Sequence, residues 1–196
     1  KGFKELFIRD FNFTTKKPYI KELCNFIIDN KIKLVWSCEG RVNEVDEEIL
    51  TLMKKAGCYL IAFGFEVGTN EAKKKINKMT TIEQDIQARN LCKKYGLQVY
   101  GFFMIGFPWE TEKDIKETIN HIFKLNCEFI EIHIAIPYIG TKLYQIAKDY
   151  GLISKEEDVL GKTYFSEPTI GTKYVDLEKI KKIRKKTLRK YYLRPL

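Results

Sequence analysis

Tyr100-Gly-Phe-Phe-Met-Ile-Gly-Phe-Pro-Trp-Glu-Thr111 reads as a buried strand, an abrupt turn and the first residues of a helix. Val99 to Ile105 is apolar or glycine throughout, as expected of a parallel strand covered on both faces. Gly106 and Pro108 end it. Thr111 is a candidate N-cap, with Asp114 three residues on as an imperfect capping box. Gly101 and Gly106 leave room for close approach to the backbone. A strand that empties through glycine into a helix N-terminus is how α/β proteins build ligand sites at the carboxyl edge of a sheet.

Working outward, strand and helix patterns alternate. Strands are expected near 5–10, 33–39, 59–66, 98–105 and 129–136, and helices near 17–30, 46–56, 81–95, 111–125, 141–150 and 176–192. Strand starts fall 28, 26, 39 and 31 residues apart, close to the roughly 31 residues per unit of a 250-residue (β/α)8 barrel. No short hairpin signal intervenes, so the strands should be parallel with right-handed crossovers. Thr80-Thr-Ile-Glu83 resembles a capping box, and Gly57, Gly96 and Gly151 close their helices. The fold class expected is α/β: a partial (β/α) TIM-like barrel, an open parallel arc of about five strands with outer helices, missing at least one flank.

Composition narrows the class. The 196 residues are 44% hydrophobic, so the chain is globular, with one domain the default. No apolar run is long enough to cross a membrane, and no signal peptide opens the chain. It begins almost at a strand without an initiator Met, and is expected to be a piece of a longer polypeptide. Cys24, Cys38, Cys58, Cys92 and Cys127 are separated by 14, 20, 34 and 35 residues. None of those gaps has metal-site or redox-motif spacing, so no metal ligand is expected in this chain. Reduced thiols in a cytoplasm are the expectation, most of them small buried hydrophobes. The net charge is +9, and residues 172–196 carry ten Lys or Arg against Asp176 and Glu178. That leaves +1 for the other 171 residues, so the basicity belongs to the tail.

Barrel strands show one face to helices and one to the interior. Along the fifth strand, Ile130, Ile132, Ile134 and Ile136 should meet helices, while Glu131, His133, Ala135 and Pro137 face inward. In the third, Tyr59, Ile61, Phe63 and Phe65 form a bulky face, and Leu60, Ala62, Gly64 and Glu66 a small one ending in a carboxylate. A carboxylate there is costly unless paired or bound. Polar residues also collect where other strands end: Asp10, Asn12 and Thr14; Ser37, Glu39 and Arg41; His133 and Tyr138. The carboxyl rim is where barrel enzymes work.

The order Phe7-Ile-Arg-Asp-Phe-Asn-Phe-Thr14, Trp36…Arg41-Val-Asn, Val45-Asp-Glu-Glu, Met53-Lys-Lys-Ala-Gly-Cys58, Gly64-Phe-Glu-Val-Gly68, Lys78, Met104-Ile-Gly-Phe-Pro-Trp-Glu-Thr111 and Pro137-Tyr-Ile-Gly-Thr-Lys-Leu-Tyr144 resembles the radical S-adenosylmethionine (SAM) enzymes. Within them it is most similar to the group whose members often carry a cobalamin-binding domain. The resemblance runs from about residue 3 to residue 153. It implies a partial (β/α)6 barrel in which a Cys-x3-Cys-x2-Cys loop holds a [4Fe–4S] cluster. Cleavage of SAM at that cluster gives a 5′-deoxyadenosyl radical for methylation, cyclisation or other C–H chemistry. The three-cysteine loop is absent here. The first strand corresponds to the family's second, so the resemblance implies that the first β/α unit is missing here and that the cluster ligands lie upstream, in the same polypeptide.

The resemblance also implies roles. Arg9, Asp10 and Phe11 occupy the strand end that receives the SAM amino group. Ser37 and Arg41 are placed to hold its carboxylate, and Arg forks carboxylates well. Glu66 fits the ribose. Phe103, Ile105 and Gly106 correspond to the segment that packs on adenine, and Pro137 and Tyr138 lie where the last strand would approach the same ring. Glu131 and His133 are the candidates to face a small-molecule substrate. Cobalamin, if used, would come through a separate domain.

The chain is thus expected to divide into a partial barrel at 1–153, a connecting segment at 154–175 and a basic C-terminal helix at 176–196. In that helix Leu177, Ile180, Ile183, Thr187, Leu188 and Tyr191 recur at helical spacing, as for a helix packed on the barrel with a solvated basic face. Two alternatives to SAM chemistry on a small molecule stay open. One is a tRNA-modifying, methylthiotransferase-like enzyme whose tail supplies phosphate contacts. The other is a non-catalytic α/β module that binds through its basic helix.

Overall fold

The computed structural model describes residues 5–10, 12–153 and 167–194. Phe11 and most of the expected connecting segment, residues 154–166, lie outside the described residues.

Five strands form one sheet in the order β1-β2-β3-β4-β5: β1 Glu5–Ile8, β2 Val35–Gly40, β3 Cys58–Glu66, β4 Gln98–Ile105 and β5 Phe129–Ile134. Helices alternate with them: α1 Lys17–Asp29, α2 Glu47–Lys55, α3 Asn70–Lys75, α4 Ile82–Lys94, α5 Glu112–Leu125, α6 Lys142–Asp149 and α7 Leu177–Tyr192. β1 pairs with β2 and β2 with β3, both parallel. Sequence-ordered parallel neighbours are what a βαβ rhythm gives when every crossover has one hand.

By contact density the chain separates into two compact units. One is Lys1–Phe65, Thr69–Phe102 and Leu125–Glu131; the other is Glu66–Gly68, Phe103–Lys124 and Ile132–Leu196. In the first unit the core is built on Trp36, fully buried, whose Nε1 donates to the Ala56 carbonyl at 2.8 Å. Phe13 meets it edge-on at 5.6 Å. Ile20, Ile49, Leu50, Met53, Ile61 and Phe63 are buried around it. A register shift at Trp36/Ser37 pairs Cys58 with Trp36 and Leu60 with Ser37. Tyr59 is therefore the extra residue of a bulge. It does not share the bulky face of Ile61 as the bare alternation suggests. Its hydroxyl donates to Glu5, and that contact is the main cause that holds the phenol above its ordinary pKa.

In the second unit Phe103, Ile105, Ile122, Ile180 and Tyr191 are buried. Phe103 meets His121 of α5 edge-on. On α7, Ile180, Thr187 and Tyr191 are buried and Phe123 lies 5.5 Å from Tyr191, so the expected apolar stripe is the packed face. The capping box of α5 is reciprocal: Thr111 N donates to Asp114 Oδ2 and Asp114 N to Thr111 Oγ1.

Three sequence expectations shift. The cap of α4 is Thr81, with Gln84 as its partner, one residue later than expected. β5 stops at Ile134; Ala135 N instead donates to the Ile105 carbonyl at 2.9 Å, so inward and outward alternation ends there. The short α3 was not foreseen; Thr69 caps it by accepting from Ala72 N.

Candidate functional site

Several chemistry-bearing residues follow the last residues of strands. In the second unit Glu66, the last residue of β3, has φ +68°. The other non-glycine residues with positive φ among the described residues are Lys31, Asn77 and Asn126, each just past a helix end, where a left-handed residue is ordinary. Glu66 closes a strand instead, a conformation that costs about 1 kcal/mol or more and marks functional turns.

The residue before it is held from within the first unit. Lys73 of α3 is fully buried. Its Nζ donates to the Phe65 carbonyl at 3.0 Å, to Thr80 Oγ1 at 3.1 Å and to Asp85 Oδ1 at 3.0 Å. Asp85 is also fully buried. A buried ammonium is tolerable only when its donors are met and its charge matched, and both conditions hold.

After β4 the turn is built on Glu110. Its carboxylate, 2% exposed, accepts from Gly106 N at 2.6 Å and Phe107 N at 3.0 Å. Gly106 has φ +83°, and a Cβ there would stand 2.9 Å from Ile134 Cγ2. The glycine is required twice over, by conformation and by space. Phe107 and Trp109 stack at 5.3 Å. Glu110 was not singled out by sequence reasoning, although it belongs to the stretch that decides the fold. An acid four residues after a strand-ending glycine was the available signal.

The remaining expected residues fall as follows. Phe103 and Ile105 are fully buried, and Phe103 has its ring on α5. It is the alternate residues Tyr100, Phe102 and Met104 that are half-exposed. Pro137 is buried and Tyr138 exposed. In the second unit His133, Ile136, Tyr138, Thr141, Met104 and Arg184 line one cavity of about 280 Å³. Ile136, expected against helices, is thus turned to the cavity because β5 has already ended. In the first unit Glu131 accepts from the Tyr100 hydroxyl at 3.2 Å.

Also in the first unit, Arg9 lies over the Phe7 ring and Asp10 Oδ1 accepts from Asn12 N at 3.1 Å. Ser37 is buried. Arg41 is half-buried just past β2, with its N–H donating to Thr14 Oγ1 at 2.9 Å. The acids beside it in sequence are engaged elsewhere: Glu44 accepts from Thr14 and Thr15, and Asp46 pairs with Lys17. Among the described residues the Arg41 guanidinium has no ion-pair partner.

A family model described as the Radical SAM superfamily matches residues 2–122. The chain belongs to the Radical SAM superfamily. It is 32% identical over 194 residues to an uncharacterized methyltransferase of Pyrococcus horikoshii, covering 99% of this chain and 42% of the relative. It is 26% identical over 172 residues to the cytidylyl-2-hydroxyethylphosphonate methyltransferase of Streptomyces wedmorensis, covering 83% and 32%. Among solved structures, the radical SAM methyltransferase TsrM of Kitasatospora setae, with cobalamin and a [4Fe–4S] cluster bound, superposes with a TM-score of 0.66 at 17% identity. It covers 86% of this chain and 37% of that one. The fold is that of a partial TIM-like radical SAM barrel. This chain spans less than half the length of the curated relatives it matches.

Radical SAM enzymes use SAM and a [4Fe–4S] cluster. The cysteines of this chain do not fit that cluster. All five are free and buried. Burial pushes the Cys24 and Cys92 thiols up to about 12. A hydrogen bond to Cys58, with burial, holds Cys38 well above its ordinary value. Cluster ligands are thiolates, and no group of three or more His, Cys, Asp or Glu among the described residues is arranged to hold a metal ion. Nor is any helix among the described residues long and apolar enough to cross a membrane.

Proposed function

We propose that this chain is the SAM- and substrate-holding part of a radical SAM enzyme of the methyltransferase kind, with its cluster thiolates on residues outside this chain. The observation that carries it is the left-handed Glu66 at the end of β3, a strained carboxylate at the position where the family resemblance places the SAM ribose. One carboxylate can accept from two neighbouring hydroxyls. The unpartnered guanidinium of Arg41 suits the SAM carboxylate, which it would meet as a fork. Asp10 supplies an acceptor for the amino group, and Arg9 stands beside it. Gly106 offers backbone at close range to the adenine, with Pro137 and Tyr138 as apolar neighbours. Because Phe103 and Ile105 are buried, their part is to set that backbone, not to touch the ring. By the family resemblance Ser37 joins Arg41 at the SAM carboxylate. Glu131 and His133 are the substrate-facing candidates.

When bound, SAM supplies the activated carbon or the radical, and the hard chemistry is the cofactors' own. This chain binds, orients and excludes water. A cobalamin carried by a separate domain accords with TsrM, which binds one. Fully buried reduced thiols accord with a cytoplasmic setting.

The test uses the parent enzyme, reconstituted anaerobically, whose upstream sequence should encode a Cys-x3-Cys-x2-Cys loop. Glu66→Gln and Arg41→Gln should each weaken SAM binding at least about tenfold, equivalent to about 1.4 kcal/mol, and lower 5′-deoxyadenosine release. Unchanged SAM affinity in both variants would sink the reading.

A second reading has one observation behind it. An open groove of about 810 Å³ on α7 is lined by Lys182, Lys185, Lys186, Arg189, Lys190 and Arg194. Such a groove suits phosphates, as a tRNA-modifying enzyme would require. Binding to tRNA whose affinity falls steeply with salt would favour it.

A further inference from the structure

The cavity of the second unit holds a cation that nothing above has used. Met104, Ile134, Ile136 and Leu143 make its walls apolar. His133, Tyr138, Thr141 and Arg184 are its polar groups, and among the described residues no acid lines it. Arg184 comes from α7, half-buried. Its neighbours on that helix are accounted for otherwise. Lys179 pairs with Glu112 and Lys181 with Glu178, Lys190 lies over Phe123, and Lys182, Lys185 and Lys186 line the outer groove. Arg184 has no hydrogen-bond or ion-pair partner among the described residues. A guanidinium partly withdrawn from water into an apolar cavity is costly unless an anion meets it.

We propose that Arg184 is a specificity-determining residue. It receives an oxyanion of the substrate, carboxylate or phosphate, with the Tyr138 and Thr141 hydroxyls beside it and the apolar walls taking the adjoining carbon chain. This rests on the reading that the cavity bordered by His133 receives substrate. About 280 Å³ is at the small end for ligand pockets, so it takes a small acid or the anionic end of a larger molecule. The planar fork of Arg favours a two-oxygen face over a single-atom anion. The basic tail thereby has two functions: its outer cations are solvated, and one inner cation recognises charge.

Hexanoate, butyl phosphate and hexanol are the probes, followed by ligand-observed NMR on this protein without SAM. Hexanoate or butyl phosphate should bind at least tenfold more tightly than hexanol, and the tighter of the two anions names the source of the oxyanion. Arg184→Gln should weaken anion binding tenfold or more, and Arg184→Lys by less, since it keeps charge but loses the fork. Lys116→Gln, an exposed cation of α5, should change nothing. Equal binding of hexanol, or anion affinity unchanged in Arg184→Gln, would overturn the proposal. Glu66→Gln separates the two readings: it should weaken SAM binding in the parent enzyme at least about tenfold and leave hexanoate binding intact.

Discussion

Glu66 adopts a backbone conformation that an L-residue other than glycine enters at a cost, and it does so at the position proposed to bind the ribose. Glu66→Ala and Glu66→Gly both delete the carboxylate, but only the second relieves the left-handed strain. The glycine variant should be more stable than the alanine variant by about 1 kcal/mol in urea denaturation, with SAM binding lost in both. Glu110 makes a complementary prediction. Glu110→Ala leaves two buried N–H donors, those of Gly106 and Phe107, without their acceptor, which should cost about 1–3 kcal/mol. The carboxylate of Glu66 was visible in the sequence because it ends an apolar strand. Its strained backbone was not, because φ leaves no trace in composition. Glu110 went unnoticed for the opposite reason: within a fold-defining stretch, an acid looks like part of the helix start. Arg41 was legible as a cation near a strand end. That its sequence neighbours Glu44 and Asp46 are engaged with Thr14 and Lys17 could be known only from the packing.

Helix and strand placement was largely readable because each element carries its own punctuation. The gaps lie where two signals competed. Thr80 and Thr81 each offered a cap to α4; Thr81 took it, and Thr80 turned inward to accept from Lys73. The apolar run of β5 continued past the strand's end, because isoleucines at alternate positions do not reveal where a ladder stops. The cap of α2 yields a pH prediction. Burial opposes ionisation of Asp46, but the Ile49 N–H and the Lys17 ammonium more than offset it and hold the carboxyl below its ordinary value. A depressed carboxyl stabilises the fold above its unfolded pKa, and that stabilisation is lost as pH falls through the folded one. Asp46→Asn keeps a competent cap and removes the charge. Both groups of the pair are well exposed, so the variant should lose only a few tenths of a kcal/mol near neutrality. Comparing denaturation midpoints near pH 7 and pH 2.5 should show the difference vanish in acid.

For the whole molecule, the separation of thiols from cluster chemistry predicts a plain outcome. Anaerobic incubation of this chain with iron and sulfide should give no stable [4Fe–4S] absorption, and its five thiols should react with an aromatic disulfide reagent only after unfolding. The interior ion pair sets a further condition on the protein as a whole. Lys73→Met or Asp85→Leu alone strands a buried charge and should cost about 3–5 kcal/mol, whereas the double variant should recover most of the loss. Total stability in a domain of this kind is about 5–15 kcal/mol, so either single change approaches the limit of what remains folded. Lineages that drift one substitution at a time therefore meet a valley at these two positions. A well-packed apolar pair is often as good or better, yet it lies two simultaneous steps away, and the polar pair is kept by its inaccessibility to gradual replacement.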